Sequence, residues 1–203
     1  MPGISAIFWD VGGVLLTNAW DHVQRNLALE HFGLDEVEFD DRHEMLVSSF
    51  ERGKLSLNEY LDRTVFYRPR PFTREAFRDY LYSLSQPDND SLTLARELAK
   101  SGKYLMSTIN NESLELNQYR IQTFALREIF SLFVSSCFVG LRKPEEGIYR
   151  LGMQLTQRSP EESCFVDDRA LNLESAARLG MKTIRFENAR QLREELNKLG
   201  VAP

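Results

Sequence analysis

The sequence predicts an α/β fold in which a doubly wound parallel sheet carries a small, inserted, all-helical cap. Three observations lead to this prediction. The chain opens with an apolar run that ends in an acid and two glycines, residues 18–86 show only helical periodicity, and short apolar strands alternate with helices from residue 87 onward. Strands that alternate with helices are typical of a parallel sheet with right-handed crossovers. We therefore predict a core from residues 1–17 and 87–203 and a helical cap from residues 18–86.

The first strand is predicted from Ile4 to Trp9, which is apolar on both faces, as buried parallel strands are. Asp10 follows at its carboxyl end, where open α/β sheets bind ligands. Gly12 and Gly13 allow the backbone to turn sharply and to approach a ligand closely. The same residues also suit a buried strand with a capping acid and a Gly-Gly turn, so this stretch alone leaves both interpretations open.

The cap segment is predicted to hold four helices and no strand. These helices span residues 18–31, 37–52, 56–66 and 73–84. Gly33 and Gly53 end the first two. Ser56 to Glu59 forms a capping box that begins the third helix, and Thr73 caps the fourth.

The remainder of the chain alternates helices with strands. The predicted strands are 103–107, 132–138, 163–166 and 182–186, and the predicted helices are 90–101, 111–126, 144–155, 171–179 and 189–199. Gly102 and Gly180 mark helix ends, and Pro160 follows Ser159 at a further helix start.

Composition excludes several classes of protein. Hydrophobic residues make up 42% and charged residues 27%, an ordinary balance for a globular domain with a sizeable core. A net charge of -5 without a basic cluster argues against nucleic-acid binding, although a locally positive site for a small phosphate ester is compatible with it. Cys137 and Cys164 lie in apolar runs that read as core strands, so we expect both to be reduced and buried. With no signal peptide and no membrane-spanning run, we expect a cytoplasmic protein without membrane association, as a monomer or small homo-oligomer.

Polar groups follow four of the predicted strands. Asp10 follows the first strand, Ser107-Thr108 ends the second, Lys143 lies after the third, and Asp167-Asp168 ends the fourth. In a parallel sheet these ends share one edge, so the side chains can converge. Each also has an ordinary structural explanation: a hydroxyl or an acid that caps a helix, or a lysine in an exposed loop.

These motifs resemble those of the haloacid dehalogenase-like hydrolase superfamily over essentially the whole chain. The run from Phe8 to Val14 looks like its first motif and Ser107 like its second. Lys143, in Gly-x-x-Lys-Pro-x-x-x-Ile-Tyr, and the run from Phe165 to Asn172 look like the third and fourth. The nearest branch is similar to the α-D-glucose-1-phosphate phosphatase type and to the N-terminal phosphatase domain of soluble epoxide hydrolases.

The resemblance implies a Rossmann-like core and a phosphatase that depends on Mg²⁺ and acts on a small phosphorylated substrate. Asp10 would attack phosphorus and form an aspartyl-phosphate, while Lys143 would neutralise developing charge. Asp10, Asp168 and the backbone carbonyl of Gly12 would be metal ligands, and Asp167 would orient a metal-bound water.

Phosphate binding is the expected role of a further group of residues. Ser107 would hydrogen-bond a phosphoryl oxygen, with Thr108 beside it. Lys143 and the backbone amides of Val11 and Gly12 would complete that site.

The chain departs from the pattern at Gly12, where many family phosphatases have an acid that protonates the leaving group. Milder departures are Thr108, where Asn is common, and Asn172, where a further Asp is common. The absent acid keeps open a non-catalytic or weakly active ligand-binding member. A metal-free 2-haloacid dehalogenase needs no acid there, but the Asp167-Asp168 pair argues against it.

The cap offers its own candidate side chains for the site. Trp20, Asp21, Arg25, Glu51 and Lys54 could overhang Asp10, although charged residues usually lie on solvated faces. The three histidines, His22, His31 and His43, are expected at the surface.

Overall fold

The computed structural model describes residues 3–18 and 20–203 and contains one five-stranded sheet with all neighbours parallel. Its strands are β1 (Ala6–Trp9), β2 (Leu105–Asn110), β3 (Leu132–Ser135), β4 (Ser163–Asp167) and β5 (Lys182–Arg185). Their order across the sheet is β3-β2-β1-β4-β5. This order reverses direction at β1, as in a doubly wound sheet, so the predicted fold class is confirmed.

Helices cover both faces of the sheet. They are α1 (His22–Phe32), α2 (Glu36–Glu51), α3 (Leu57–Thr64), α4 (Arg74–Ser83), α5 (Asn89–Ser101), α6 (Leu114–Thr123), α7 (Ser136–Val139), α8 (Glu146–Thr156), α9 (Ala170–Arg178) and α10 (Ala189–Lys198). Alternate side chains of β1 divide between the faces: Ile7 and Trp9 pack with residues of α5, α6 and α10, whereas Ala6 and Phe8 pack with α8 and α9. The central strand is therefore buried on both sides, as its unbroken apolar run predicts.

Helices α1 to α4 share a hydrophobic cluster of their own, to which the core contributes Leu116 of α6. The predicted capping box of Ser56 and Glu59 is present, and the Thr73 side chain caps α4. No strand occurs among the described residues between 18 and 86. The division into a core and a cap at these boundaries stays a prediction, which this separate cluster supports.

The chain leaves and re-enters the sheet layer through two adjacent segments. The Thr17 amide donates to the Gln86 carbonyl at 2.8 Å, and the Gln86 amide donates to Thr17 Oγ1 at 2.9 Å. The Asp88 amide donates to the Leu15 carbonyl at 2.9 Å. These bonds fix the two ends of the intervening segment against each other.

Several predicted boundaries are wrong. β2 begins at Leu105 and continues to Asn110, beyond the predicted end at residue 107. β3 ends at Ser135, so Cys137 lies in α7 and not in a strand. Both cysteines are free and buried, as expected.

Across the part of the chain that the structure describes, no helix combines the length and the apolar character that a bilayer crossing requires.

Candidate active site

The site lies at the carboxyl edge of the sheet, where β1 and β4 end side by side. Asp10 directly follows β1, Asp167 is the last residue of β4, and Asp168 comes next. Trp9 pairs with Val166, and the Asp10 amide donates to the Val166 carbonyl at 2.8 Å. One carboxylate oxygen from each aspartate lies within 4.8 Å of the other two. The parallel register thus brings Asp10 together with Asp167 and Asp168, which are distant from it in sequence.

Lys143 bridges two of these acids. Its Nζ lies 2.8 Å from Asp10 Oδ2 and 2.6 Å from Asp167 Oδ2. Asn111 holds the lysine backbone, because its side chain donates to the Lys143 carbonyl at 2.9 Å and accepts from the Lys143 amide at 2.8 Å. A fixed ammonium group therefore lies beside the Asp10 carboxylate.

Burial and charge together set the protonation of this group. Burial raises the pKa of Asp10; Lys143 opposes that effect and the Asp167 charge adds to it. Burial alone would lower the pKa of Lys143, but the two carboxylates outweigh burial and raise it above its usual value. Lys143 is therefore charged, and its one positive charge faces three acids.

Asp167 is fully buried, and donors occupy both of its oxygens. Oδ1 accepts from the Arg169 amide at 2.8 Å, and the Asn172 side chain reaches both oxygens at 3.0 Å. With Lys143 on Oδ2, Asp167 has little capacity left to bind an ion directly. An orienting role for Asp167 stays a prediction that fits these contacts.

Asp168 differs from Asp167 because its Oδ1 is buried and has no hydrogen-bond partner among the described residues. Its Oδ2 packs against Gly13, where a Cβ atom would come within 2.5 Å of it. Burial and the neighbouring Asp167 charge raise the pKa of Asp168. A buried oxygen without a donor, beside two further carboxylates, fits a hard divalent cation with oxygen ligands.

The glycine turn lies beside Asp10, and Gly12 lines the cavity above it. The Val11 amide donates to Asp10 Oδ1 at 2.8 Å, and the Gly13 amide donates to the Leu16 carbonyl at 2.7 Å. Val11 is buried and does not line the cavity, and its amide is engaged with Asp10, so substrate binding by that amide stays a prediction. Nothing in these contacts occupies the Gly12 carbonyl, whose metal-ligand role stays a prediction.

Ser107 and Thr108 do not lie where the sequence placed them. They pair with Phe8 and Trp9 inside the sheet, both are fully buried, and neither lines the cavity. Ser107 Oγ donates to the Leu132 carbonyl at 3.1 Å, so a neighbouring strand satisfies the hydroxyl. Phosphoryl binding by Ser107 and Thr108 stays a prediction, which these contacts do not support.

The true end of β2 brings Asn110 and Asn111 to the site edge instead. Asn110 is held within the protein, since its side chain donates to Asn117 at 3.1 Å and accepts from Ser135 at 2.8 Å. Asn111 lines the cavity. The sequence feature that could have located the end of β2 is Ser113. It immediately precedes helix α6, so the residues before it do not belong to that helix.

The cavity above Asp10 has a volume of about 500 Å³ and is lined by core and cap residues together. Trp20, Asp21, Arg25 and Glu51 line it, as the cap prediction expected, whereas Lys54 is exposed and does not. Burial raises the pKa of Glu51, and its ion pair with Arg142 at 2.8 Å opposes that shift.

His43 is buried, contrary to the expectation that it lies at the surface. Trp20 Nε1 donates to the Tyr60 hydroxyl at 3.0 Å, and the same hydroxyl is hydrogen-bonded to His43 Nδ1 at 2.7 Å. Burial lowers the pKa of His43 to about 4, and the charges of Arg25 and Arg142 act in the same direction. At neutral pH His43 is therefore an uncharged residue in the cavity wall.

Sequence reasoning missed several charged residues in the wall. Arg142 and Arg169 follow the third and fourth strands, and Glu112 and Arg120 form a buried ion pair at 3.2 Å. Arg120 lies in the middle of α6, where a charged residue ordinarily indicates a solvated face. Only the tertiary contacts reveal these four as site residues.

Comparison with known proteins identifies the family and the fold. The family model of haloacid dehalogenase-like hydrolases matches residues 4–180. The chain is 24% identical to bifunctional epoxide hydrolase 2 of Sus scrofa over 97% of its own length, but it spans only 39% of that protein. It is 26% identical to D-ribitol-5-phosphate phosphatase of Bacteroides thetaiotaomicron, covering 95% of this chain and 97% of the relative.

A solved structure with a similar fold is that of a HAD family enzyme from Bacteroides thetaiotaomicron in a magnesium complex. It superposes with a TM-score of 0.78 at 20% identity and covers 92% of this chain and 95% of the other. At this identity the likeness establishes the fold alone.

Proposed function

This chain belongs to the haloacid dehalogenase-like hydrolase family, and we propose that it is a Mg²⁺-dependent phosphatase that acts on a small phosphorylated metabolite. The reaction would proceed through an aspartyl-phosphate on Asp10. The D-ribitol-5-phosphate phosphatase relative, which matches this chain nearly end to end, supports a sugar phosphate as the class of substrate.

One observation carries the proposal: Asp10 lies below a cavity, ion-paired to buried Lys143 and within 4.8 Å of Asp168, whose Oδ1 has no hydrogen-bond partner among the described residues. A structural ion pair would need no unpaired carboxylate oxygen beside it, since such an oxygen costs free energy when it is buried. A phosphatase needs a carboxylate nucleophile together with positive charge that offsets the phosphate dianion.

In the first step an Asp10 carboxylate oxygen bonds to phosphorus while the ester P–O bond breaks and its electron pair passes to the leaving oxygen. Water then attacks the aspartyl-phosphate, which releases phosphate and restores the Asp10 carboxylate. Lys143 stays charged throughout and holds the carboxylate in place. Asn111 lines the cavity, and its side-chain amide retains one N–H for a substrate beyond the bond that it donates to the Lys143 carbonyl.

Asp10, Asp168 and the Gly12 carbonyl would hold Mg²⁺, which supplies positive charge between the carboxylate and the phosphate when it is bound. Asp167, already occupied by Lys143 and Asn172, would fix the surroundings of that ion.

The cavity favours a small anionic substrate. Its volume of about 500 Å³ lies within the range of small-molecule sites. Arg25, Arg142 and Arg169 in its wall add positive charge around an incoming phosphate ester. Residues of the predicted cap form part of the cavity wall, which would restrict access for a folded protein substrate.

A second candidate is a binding protein without turnover, which Gly12 favours because position 12 offers no proton donor. A dehalogenase that lacks a metal remains an alternative outcome of the same test. The unpaired Asp168 carboxylate argues against it, because that charge would repel a haloacid carboxylate.

The test is phosphate release from a panel of sugar phosphates and an activated aryl phosphate, with Mg²⁺ or with chelator. Wild type is compared with Asp10→Asn and with Asp90→Asn, an exposed control. We expect Mg²⁺-dependent release that Asp10→Asn abolishes and Asp90→Asn preserves. No release from any ester would overturn the proposal, and halide release from 2-haloacids would then identify a dehalogenase.

A further inference from the structure

A buried ion pair borders the cavity beside Gly12. Arg120 of α6 and Glu112, in the loop between β2 and α6, are 2% and 8% exposed. Arg120 Nη1 lies 3.2 Å from Glu112 Oε2. Both residues line the same cavity as Asp10 and Gly12. A permanent positive charge is thus placed in the wall of the site.

The Arg120 guanidinium retains donors that the protein does not use. Nε donates to Ser85 Oγ at 3.1 Å, Nη1 donates to Glu112, and Nη2 donates to the Thr17 carbonyl. An arginine side chain carries five N–H groups. Among the described residues no acceptor is found for the second N–H of Nη1 or of Nη2. These two N–H groups are available to a ligand in the cavity.

The position of Arg120 relative to Gly12 gives these donors a role. A Cβ atom on residue 12 would come within 3.5 Å of Nη1 and within 2.8 Å of Asn18 Oδ1. The guanidinium therefore lies against the space that a residue 12 side chain would enter. That side chain is the acid that assists the leaving group in many phosphatases of the family, and here it is missing.

We propose that Arg120 assists the leaving group in place of the missing acid, by donating an N–H to the ester oxygen as its bond to phosphorus breaks. This inference rests on the proposed phosphatase function. The electron pair of the P–O bond passes to the leaving oxygen, Arg120 stabilises that negative charge, and the oxygen takes its proton from water. Burial lowers the pKa of Arg120 and Glu112 opposes that shift; because a guanidinium ordinarily titrates far above neutral pH, it stays protonated at neutral pH and this assistance does not titrate there.

Glu112 acts as a positioning residue in this arrangement. Its carboxylate accepts from Arg120 and from the Ser113 amide at 2.9 Å, which fixes the plane of the guanidinium. The substrates that suit such a site are phosphate esters with weakly basic leaving oxygens, because a hydrogen bond stabilises an alkoxide less than complete proton transfer does.

Arg120 also contacts Thr17 and Ser85, which belong to the two segments that connect sheet and cap. A purely structural role would therefore be to clamp these segments. The two roles predict different kinetics: loss of a clamp lowers the rate for every substrate alike, whereas loss of leaving-group assistance lowers it most for strongly basic leaving groups.

The experiment measures kcat/KM with Mg²⁺ for a series of aryl and alkyl phosphates of increasing leaving-group pKa. Arg120→Met is compared with wild type and with Ser85→Ala, which removes one clamp contact and leaves the guanidinium in place. For Arg120→Met we expect a loss of about 100-fold on the most basic leaving groups, the scale of one oxyanion donor, and a much smaller loss on the most activated. For Ser85→Ala we expect a small decrease in kcat/KM that is the same for every leaving group in the series.

An equal loss for Arg120→Met across all leaving groups, or no loss, would overturn the proposal and leave Arg120 as a clamp. If Arg120→Met does not fold, Arg120→Lys is used instead. The proposal then requires that kcat/KM of this variant depend more steeply on leaving-group pKa than kcat/KM of wild type does.

A second readout is the pH profile of wild type, measured with a substrate whose leaving group is strongly basic. A rate that falls as a carboxylic acid deprotonates would identify an acid donor and overturn the inference.

Failure of the phosphatase proposal looks different. In that case wild type itself shows no Asp10-dependent release, and both proposals fall together. If wild type is active and the Arg120 variants show the same dependence of kcat/KM on leaving-group pKa as wild type, the phosphatase function stands and the proposed role of Arg120 does not.

Discussion

Replacing Lys143 with Met tests whether the site is held together by its buried charges. The substitution keeps an unbranched side chain of similar length and removes the ammonium that lies 2.8 Å from Asp10 and 2.6 Å from Asp167. Lys143 is 2% exposed and Asp167 is fully buried, so little water replaces the lost contact at Asp167. Two buried carboxylates are then left without their cation.

Removing one partner of a buried ion pair costs about 3 to 5 kcal/mol. We expect Lys143→Met to lower the free energy of unfolding by that amount at neutral pH. For a chain of this size such a loss lowers the melting temperature by about 10 °C. The free energy of unfolding is measured by urea denaturation, followed by tryptophan fluorescence. A chelator is present so that no bound cation compensates for the lost charge. Lys54→Met, at an exposed lysine, is the control and should change stability by less than about 0.5 kcal/mol.

A double variant separates charge from packing. If the cost is electrostatic, Lys143→Met with Asp10→Asn should be more stable than Lys143→Met alone, because one of the two uncompensated charges is gone. A loss below about 1 kcal/mol for Lys143→Met, or no recovery in the double variant, would refute the electrostatic reasoning.

Three further predictions concern metal, pH and backbone. Mg²⁺ should raise the melting temperature of wild type and leave that of Asp168→Asn unchanged, and an equal rise in both would contradict the ligand assignment. Because burial lowers the pKa of His43 to about 4, the unfolded chain takes up a proton on this residue between pH 7 and pH 5 and the folded chain does not, so the contribution of His43 to the free energy of unfolding should fall by about 1 to 2 kcal/mol over that range. The stability difference between wild type and His43→Phe should change by that amount between the two pH values, and a difference that does not vary with pH would argue against it. Gly53→Ala should lower the melting temperature more than Gly33→Ala does. Both glycines have positive φ, but of the two only a Cβ at Gly53 would overlap the Cys137 carbonyl. Equal decreases in melting temperature would show that the Cys137 carbonyl moves away at little cost.

The fold was predictable because its signals are local and repeated. The apolar run before Asp10 and the alternation of helix and strand after residue 87 are properties of short segments, and the structure confirms the sheet that they indicate. Asp167, Asp168 and Lys143 were predictable in position because parallel strands end at one edge. Their mutual distances required the folded chain.

The errors have physical causes. Ser107 and Thr108 resembled a strand end because hydroxyl groups are unusual in a buried strand, but the Leu132 carbonyl satisfies Ser107. Arg120 resembled a solvated residue because its partners Glu112 and Thr17 come from other parts of the chain. Neither contact leaves a trace in local periodicity, so no pattern in a single sequence could have shown it.

The hydrogen bonds between Thr17 and Gln86, and between Leu15 and Asp88, bear on how such a protein diversifies. They keep the two points of chain exit and return side by side, whatever lies between them. A lineage can lengthen, shorten or exchange the intervening segment without moving the strand that carries Asp10. The cavity wall that this segment supplies can therefore change while the candidate catalytic residues stay in register.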